Sequence, residues 1–385
     1  MKKVAIIPLR AGSKGIPNKN KKRVLGKPLF TWVLGEAIQS ELDQVFIYTD
    51  DQWIIDYVNS EYSWTKKVRV VERSKESASD TASTEFAMIE FAAKINFDFD
   101  VLVLLQATSP LTSMIDINKA CALIEDDKID SVLSVVKTHR FIWTKDGKSI
   151  NYDFKNRPRR QDFEGLYIEN GAVYACKKEI LIKEENRLGG NIEVFEMTED
   201  TLVEIDEPID FLMVEKLLEN RLVKNKSFDK IKALIIDVDG VFTNGKVATG
   251  ENGEISKEFS LIDGMGLEIL REENVFPVVL TSENSMVVKK RMEKLKIEYV
   301  FTGIRDKFSF LDNFLNEKGL TRAQIAYIGD DINDLANVCG SGLSFCPENA
   351  VPKVKMMTDN ILKNKGSEGA IREACEYILK FNRRS

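Results

Sequence analysis

The chain has 385 residues, of which 43% are hydrophobic and 30% charged, with a formal net charge of −6. That length exceeds what one core usually serves, so two domains are expected, and the acidic balance argues against a nucleic-acid partner. No stretch of about 18 apolar residues and no secretory leader is present, so neither a membrane span nor export is expected.

The five cysteines (121, 176, 339, 346 and 375) are scattered without a CxxC pattern and read as reduced thiols of a cytoplasmic protein. His139 is the sole histidine, which leaves acid–base work to carboxylates, lysines or water.

In chain order, Val4 to Ile7 is an apolar run that fits a strand buried on both faces. Arg10, Ala11, Gly12, Ser13, Lys14, Gly15, Lys19 and Asn20 follow, then Lys21, Lys22 and Arg23. Glycines admit a ligand close to the backbone, and the cations suit a polyphosphate. No GxxxxGK[ST] is present, so this is not a Walker loop. A solvated basic loop, or a nuclear-import signal over Lys19 to Arg23, accounts for the same lysines.

Apolar runs at 45–48, 68–71, 101–105 and 132–136 alternate with helical patterns near 28–40, 82–95 and 115–125. The alternation predicts a doubly wound, Rossmann-like α/β sheet that binds ligands beyond its strand C-termini. Pro28 fits the first position of its helix, and Ser79-Asp80-Thr81 fits the cap of the next. Gln106-Ala-Thr-Ser-Pro-Leu111 either points polar groups into the crevice or forms a Ser-Pro turn. Arg157, Arg159 and Arg160 would repel one another, so an anionic partner is expected there, with a surface patch as the alternative. On a strand, Glu204 and Asp206 would share a face and suit Mg²⁺, while Asp206 or Glu207 also fits a cap for the helix from Pro208 to about Arg221. Residues 223–230 read as a linker.

The run from Arg10 to Asn20 resembles the nucleotide-binding signature of the CMP-sialic acid synthetases, or acylneuraminate cytidylyltransferases. The resemblance implies a nucleotidyltransferase-type first domain over 1–222. It places Arg10, Ala11, Gly12, Ser13, Lys19 and Asn20 around CTP, joined by Arg73, Ser79 and Asp80. The family also carries Gln-X-Thr-Ser-Pro, which puts Gln106 on the ligand, although Thr112 stands where many bacterial members have an arginine. Arg160 and Gln161 would grip the sugar carboxylate and hydroxyls, Asn170 and Tyr174 would line the pocket, and the loop at Gly189-Gly190 would close over it. The family's Asp-X-Asp metal pair maps onto Glu204 and Asp206, with Glu204 a departure.

A fresh βαβ pattern begins at Ile231. Asp237-Val-Asp239 ends a buried apolar run, followed by Leu280-Thr281-Ser282, by Lys307 and by Gly329-Asp330-Asp331-Ile-Asn-Asp334. The set resembles the four motifs of the haloacid-dehalogenase phosphohydrolases and implies such a domain over 231–385. By that resemblance Asp237 is the nucleophile, Asp239 the general acid/base, and Thr281 and Lys307 hold the phosphoryl oxygens. Mg²⁺ would sit on Asp237, the Asp239 carbonyl and Asp330, with Asp331 and Asp334 nearby. Between Gly240 and Asp263 only a hairpin fits, with Asn252-Gly253 as its turn. Such a minimal cap, with Asp263-Gly-X-Gly266 and the Gly366 to Arg372-Glu tail, is similar to the Kdo-8-phosphate and sialic acid-9-phosphate phosphatases, which are tetramers. Glu283, Arg291 and Lys294 match that group's pattern for a nine-carbon sugar phosphate. On an amphipathic helix, Arg291 and Lys294 would equally form a solvated face.

These resemblances imply a bifunctional enzyme of nonulosonate activation. The second domain would hydrolyse a nonulosonate 9-phosphate, and the first would couple the sugar to CMP from CTP, both with Mg²⁺, in a homotetramer. Two alternatives stand beside it: a second domain that serves only oligomerisation, and a CMP-Kdo pathway enzyme.

Overall fold

Alternate residues of the first strand, Lys3–Leu9 (β1), feed different cores: Ala5, Ile7 and Leu9 enter one, Val4 and Ile6 the other. A strand buried on both faces has no polar alternation to show, which is why the sequence reads as an uninterrupted apolar run. The computed structural model describes residues 1–12, 15–224, 226, 229–251 and 253–384. Ser13 and Lys14, Asn225, Ser227 and Phe228 of the linker, and Asn252 of the expected turn lie outside the described residues.

The chain divides into two units, residues 1–22 with 28–214, and residues 23–27 with 215–385. The first unit adds Gln44–Thr49 (β2), Val68–Glu72 (β3), Val101–Leu105 (β4), Ser131–Thr138 (β5), Leu166–Lys177 (β6) and Ile192–Glu196 (β7). Their sheet order is β3-β2-β1-β4-β6-β5-β7. Strands β3, β2, β1 and β4 are parallel, and β6 enters antiparallel to β4 and β5. The order reverses between β1 and β4, so their C-terminal ends splay and leave a crevice there.

Local chemistry shifts two of the expected helix starts. Pro28 closes a short strand, Lys27–Pro28, and the helix begins later, at Phe30–Gln39. The helix Thr84–Lys94 is capped by Ser83, whose hydroxyl accepts from the Phe86 amide, and not by Ser79-Asp80-Thr81. The helix Met114–Leu123 carries a capping box formed by Ser113 and Asp116.

The second unit's six-stranded sheet is parallel throughout. Its strands are Ala233–Ile236 (β8), Phe276–Leu280 (β11), Tyr299–Phe301 (β12), Ile325–Ile328 (β13), Leu343–Cys346 (β14) and Asn360–Ile361 (β15), in the order β12-β11-β8-β13-β14-β15. Ala248–Gly250 (β9) and Gly253–Ser256 (β10) form the expected hairpin. Gly266 packs so near the helix Ala370–Asn382 that a Cβ would meet the Arg372 Cα at 3.0 Å. All five cysteines are free and buried. Among the described residues, no helix is long and apolar enough to cross a membrane.

Candidate active sites

The first site lies in the crevice beyond β1 and β4. A hollow of about 280 Å³ is lined by Arg10, Asn20, Arg73, Ser79, Asp80 and Gln106, among others. An adjoining hollow of about 290 Å³ shares Arg10 and Asn20 and adds Gly15, Lys19 and Asp206. Arg10 Nη1 lies 2.8 Å from Asp80 Oδ1, and the Ala11 amide donates to Asp50 Oδ1 at 2.8 Å. Among the described residues, none stands within 4 Å of where a Gly12 Cβ would project, so this glycine leaves space in front of the backbone. Arg73 is buried; its Nε donates to Ser77 Oγ at 2.8 Å, and its guanidinium lies 5.8 Å from the Tyr48 ring. Burial pulls its pKa below the ordinary arginine value. Eight of the nine residues expected at the nucleotide are thus described, and six of them line this crevice.

Lys19 Nζ donates to the Ile205 carbonyl at 2.7 Å and lies 3.4 Å from Asp206 Oδ1. Residues 203–206 form no strand, so the expected shared face of Glu204 and Asp206 does not arise from strand geometry. The backbone here is pinned otherwise: the Ile205 amide donates to the Thr108 carbonyl, and the amides of Asp206 and Glu207 donate to Asp210 Oδ2. Burial, then the Asp206 charge, raises the Glu204 carboxyl above its ordinary value.

The expected sugar-binding residues separate. Gln106 lines the first hollow, beside Arg73 and Asp80. Arg160 and Gln161 sit on an exposed single turn in the segment between β5 and β6 and line neither hollow. Asn170 is 1% exposed and already engaged, accepting from Ser134 Oγ at 2.6 Å and donating to Thr201 Oγ1 at 2.9 Å. It braces the point where the β5–β6 register shifts, between Leu133 and Val135, and lines neither hollow. Tyr174 is buried, hydrogen-bonded to Glu169 and 4.8 Å from the Arg187 guanidinium, and it too lines neither. Burial and Glu169 raise its phenol pKa.

The second site gathers at the C-terminal ends of β8, β11 and β13. Asp237 and Asp239 follow β8, Thr281 follows β11, and Asp330 and Asp334 follow β13, while Lys307 opens the helix Lys307–Lys318. Lys307 Nζ is fully buried, 2.7 Å from Asp237 Oδ1 and 2.8 Å from Asp334 Oδ1. Burial disfavours that ammonium, yet the two carboxylates hold its pKa above the ordinary lysine value. Asp334 also accepts from the Tyr327 hydroxyl at 2.6 Å and from the Asp330 amide at 3.1 Å. Gly240 has φ +86°, and a Cβ there would meet Asp330 Oδ2 at 2.0 Å, so only glycine fits beside that carboxylate. Thr281 is 1% exposed, and its Oγ1 accepts from the Glu283 amide at 3.2 Å.

A divalent cation fits this donor set. Carboxylate oxygens of Asp237, Asp330 and Asp334 lie within 4.8 Å of one another, and Asp330 Oδ1 is buried without a hydrogen-bond partner among the described residues. Burial, then the charges of Asp237 and Asp334, pushes Asp330 up to about 8. Burial and Asp334 push Asp237 up as well, against the pull of Lys307. Three carboxylates thus share one ammonium, and the uncompensated negative charge that remains is what a hard-cation site requires.

Asp239 Oδ1 accepts from Lys257 Nζ at 2.6 Å. Sequence reasoning passed over this lysine; its one signal is its place at the end of a hairpin too short to be a domain. Glu283 and Lys294 are exposed. Arg291 is turned inward, donating from Nη2 to the Ser260 carbonyl at 3.1 Å beside Phe259, so Arg291 and Lys294 do not form one solvated face.

Comparison with known proteins follows the same division. Residues 4–233 match the cytidylyltransferase family, and residues 282–374 match the haloacid dehalogenase-like hydrolases. N-acylneuraminate cytidylyltransferase B of Danio rerio is 30% identical over 395 residues, covering 100% of this chain and 92% of that protein. The 3-deoxy-D-manno-octulosonate 8-phosphate phosphatase of Haemophilus influenzae is 34% identical over 160 residues, covering 42% of this chain and 89% of its own length. A solved structure of such a phosphatase from Moraxella catarrhalis, with magnesium, phosphate and KDO, aligns with 43% of this chain and 94% of that one at 30% identity and TM-score 0.40. The chain therefore belongs to the cytidylyltransferase family, with N-acylneuraminate cytidylyltransferases as full-length relatives, and its second unit belongs to the haloacid dehalogenase-like hydrolases.

Proposed function

We propose that this chain performs two consecutive steps of nonulosonate activation. The second unit hydrolyses a nonulosonate 9-phosphate, and the first transfers CMP from CTP to the freed sugar, releasing pyrophosphate. The observation that carries the hydrolytic half is the complete Asp237, Lys307, Asp330 and Asp334 cluster, gathered largely buried beyond the C-terminal ends of the central strands. A domain kept only for oligomerisation would have no use for a buried cluster of like charges, which is costly to maintain.

In the hydrolytic step, an Asp237 oxygen attacks phosphorus and the ester oxygen leaves, taking a proton from Asp239. Water then attacks the aspartyl-phosphate while Asp239 takes a proton back, and the Asp237 carboxylate is restored. Lys307 and Thr281 hold phosphoryl oxygens. Mg²⁺ held by Asp237, the Asp239 carbonyl and Asp330, with Asp334 nearby, would neutralise charge on the transferring group.

In the transfer step, the anomeric hydroxyl of the sugar attacks the α-phosphorus of CTP. Arg10 and Lys19 neutralise phosphate charge, and Asn20, Arg73, Ser79 and Asp80 border the nucleotide. Asp206 with Glu204 is assigned to Mg²⁺, Gln106 to the sugar, and Arg160 and Gln161 to its carboxylate on the strength of their motif. Glu283, Arg291 and Lys294 are assigned to the nonulosonate 9-phosphate on the same basis.

We further assign a cytoplasmic homotetramer held through the second unit. Exposed Ile255 on the hairpin and Leu261, Ile262 and Met265 after it give an apolar surface that a second copy would cover. Steady-state assays of the purified chain with Mg²⁺, CTP, several nonulosonates and their 9-phosphates test the reading. Absence of Mg²⁺-dependent hydrolysis of every 9-phosphate would favour the oligomerisation role instead.

A further inference from the structure

We propose that Lys257 is a positioning residue for phosphate-ester cleavage, orienting the Asp239 carboxylate toward the departing oxygen; this rests on the hydrolytic reading above. Lys257 lies just past β10, on the return arm of the hairpin, yet its side chain is only 4% exposed. Its Nζ meets Asp239 Oδ1 at 2.6 Å and lies 3.9 Å from Glu254 Oε2. Glu254 is in turn tied down, since Ser285 Oγ donates to its Oε1 at 2.7 Å. Ser285 caps the helix Met286–Lys294, which follows the Thr281 loop. The hairpin thus bridges the segment carrying Asp239 and the segment after Thr281.

Asp239 has little else to orient it. Its Oδ2 is buried with no hydrogen-bond partner among the described residues, so the charge-assisted bond from Lys257 fixes the rotation of the carboxylate. An acid that must reach one ester oxygen, and then one water, gains from a single fixed rotamer. The Lys257 bond is to the Asp239 side chain, which lies outside the Asp237, Asp330 and Asp334 carboxylate set.

The chemistry supplies a test that a purely structural role would not pass. When an alkyl phosphate is cleaved, the P–O bond breaks to an unstable alkoxide, which must receive a proton from Asp239. When p-nitrophenyl phosphate is cleaved, the electron pair leaves on a stable nitrophenolate that needs no proton. Loss of Asp239 positioning therefore slows the first bond cleavage of the alkyl ester and spares that of the aryl ester. The following hydrolysis of the aspartyl-phosphate, in which Asp239 accepts a proton from water, slows for both.

The experiment uses full-length Lys257→Met and Lys257→Arg with Mg²⁺, on N-acetylneuraminate 9-phosphate and p-nitrophenyl phosphate. Lys257→Met should lose about 100-fold in kcat on the sugar phosphate with little change in KM. On the aryl ester it should release a rapid burst of nitrophenolate, one per site, before slow turnover. Lys257→Arg should recover part of the sugar-phosphate rate. A partly misfolded preparation lowers burst size and kcat together, leaving the burst rate untouched, so poor folding does not imitate the expected result. An equal slowing of the first cleavage of both esters, or no slowing of either, overturns the proposal. Wild-type protein inactive on both esters would instead remove the hydrolytic reading on which it rests.

Discussion

Lys307 Nζ lies 2.7 Å from Asp237 Oδ1, and neither residue is more than 5% exposed. One ammonium holds together a cluster that otherwise consists of carboxylates. Lys307→Met should therefore abolish hydrolysis and also destabilise the second unit by about 3–5 kcal/mol, the usual cost of stranding buried charge. Thermal unfolding with and without Mg²⁺ measures it, and the metal should restore part of the loss. An unchanged melting temperature would show that the pair contributes little to the fold.

Asp237→Asn changes almost no volume but removes the attacking oxygen's charge. Hydrolytic kcat should fall by several orders of magnitude, roughly 4 kcal/mol or more at about 1.4 kcal/mol per tenfold. Cytidylyl transfer from free sugar and CTP should persist near the wild-type rate. Supplied only with the 9-phosphate, the variant should make no CMP-sugar.

The raised carboxylates fix a pH dependence. Asp330, pushed up from 3.8 to about 8, favours its neutral form in the fold. A carboxyl of this kind contributes stability that is complete below its unfolded pKa and is lost as pH rises through the folded value. Chelator-treated protein should thus lose stability between about pH 4 and about pH 8. Added Mg²⁺, which binds the ionised form, should stabilise more at the upper end of that window. Melting temperatures across this range, with and without the metal, decide it; a flat difference would show that the metal does not use these carboxylates.

Arg160→Ala tests the assignment made on motif alone. Should Arg160 bind the sugar carboxylate, the variant should raise the sugar KM, with a cost of about 2–5 kcal/mol, and leave hydrolysis unchanged. An unaltered KM would remove Arg160 from the sugar site.

What the sequence made legible follows from what each signal depends on. β1, β4 and β8 were legible because burial on both faces leaves an unbroken apolar run. The residues expected at the second site came together because Asp237, Thr281 and Asp330 each follow a strand end, so order along the chain becomes adjacency in space. Asn170 did not, since its direction is decided by the register shift opposite Leu133 and Val135, a property of two strands together. Glu204 and Asp206 look like strand residues in isolation, but amide bonds to Thr108 and Asp210 hold that stretch as a loop. Lys257 had no periodicity or motif to mark it, and only tertiary folding brings it to Asp239.

The five cysteines carry a practical consequence. Burial pushes Cys121 and Cys346 up to about 11, Cys176 and Cys339 up to about 12, and Cys375 higher still. Alkylating reagents attack thiolates, and at neutral pH the native protein presents almost none. A single cysteine placed at exposed Ile255 would be the one site to take a fluorophore or a crosslinker, without first stripping the native thiols. Dye attached there would report on whatever approaches the hairpin, whether substrate or a second copy of the chain.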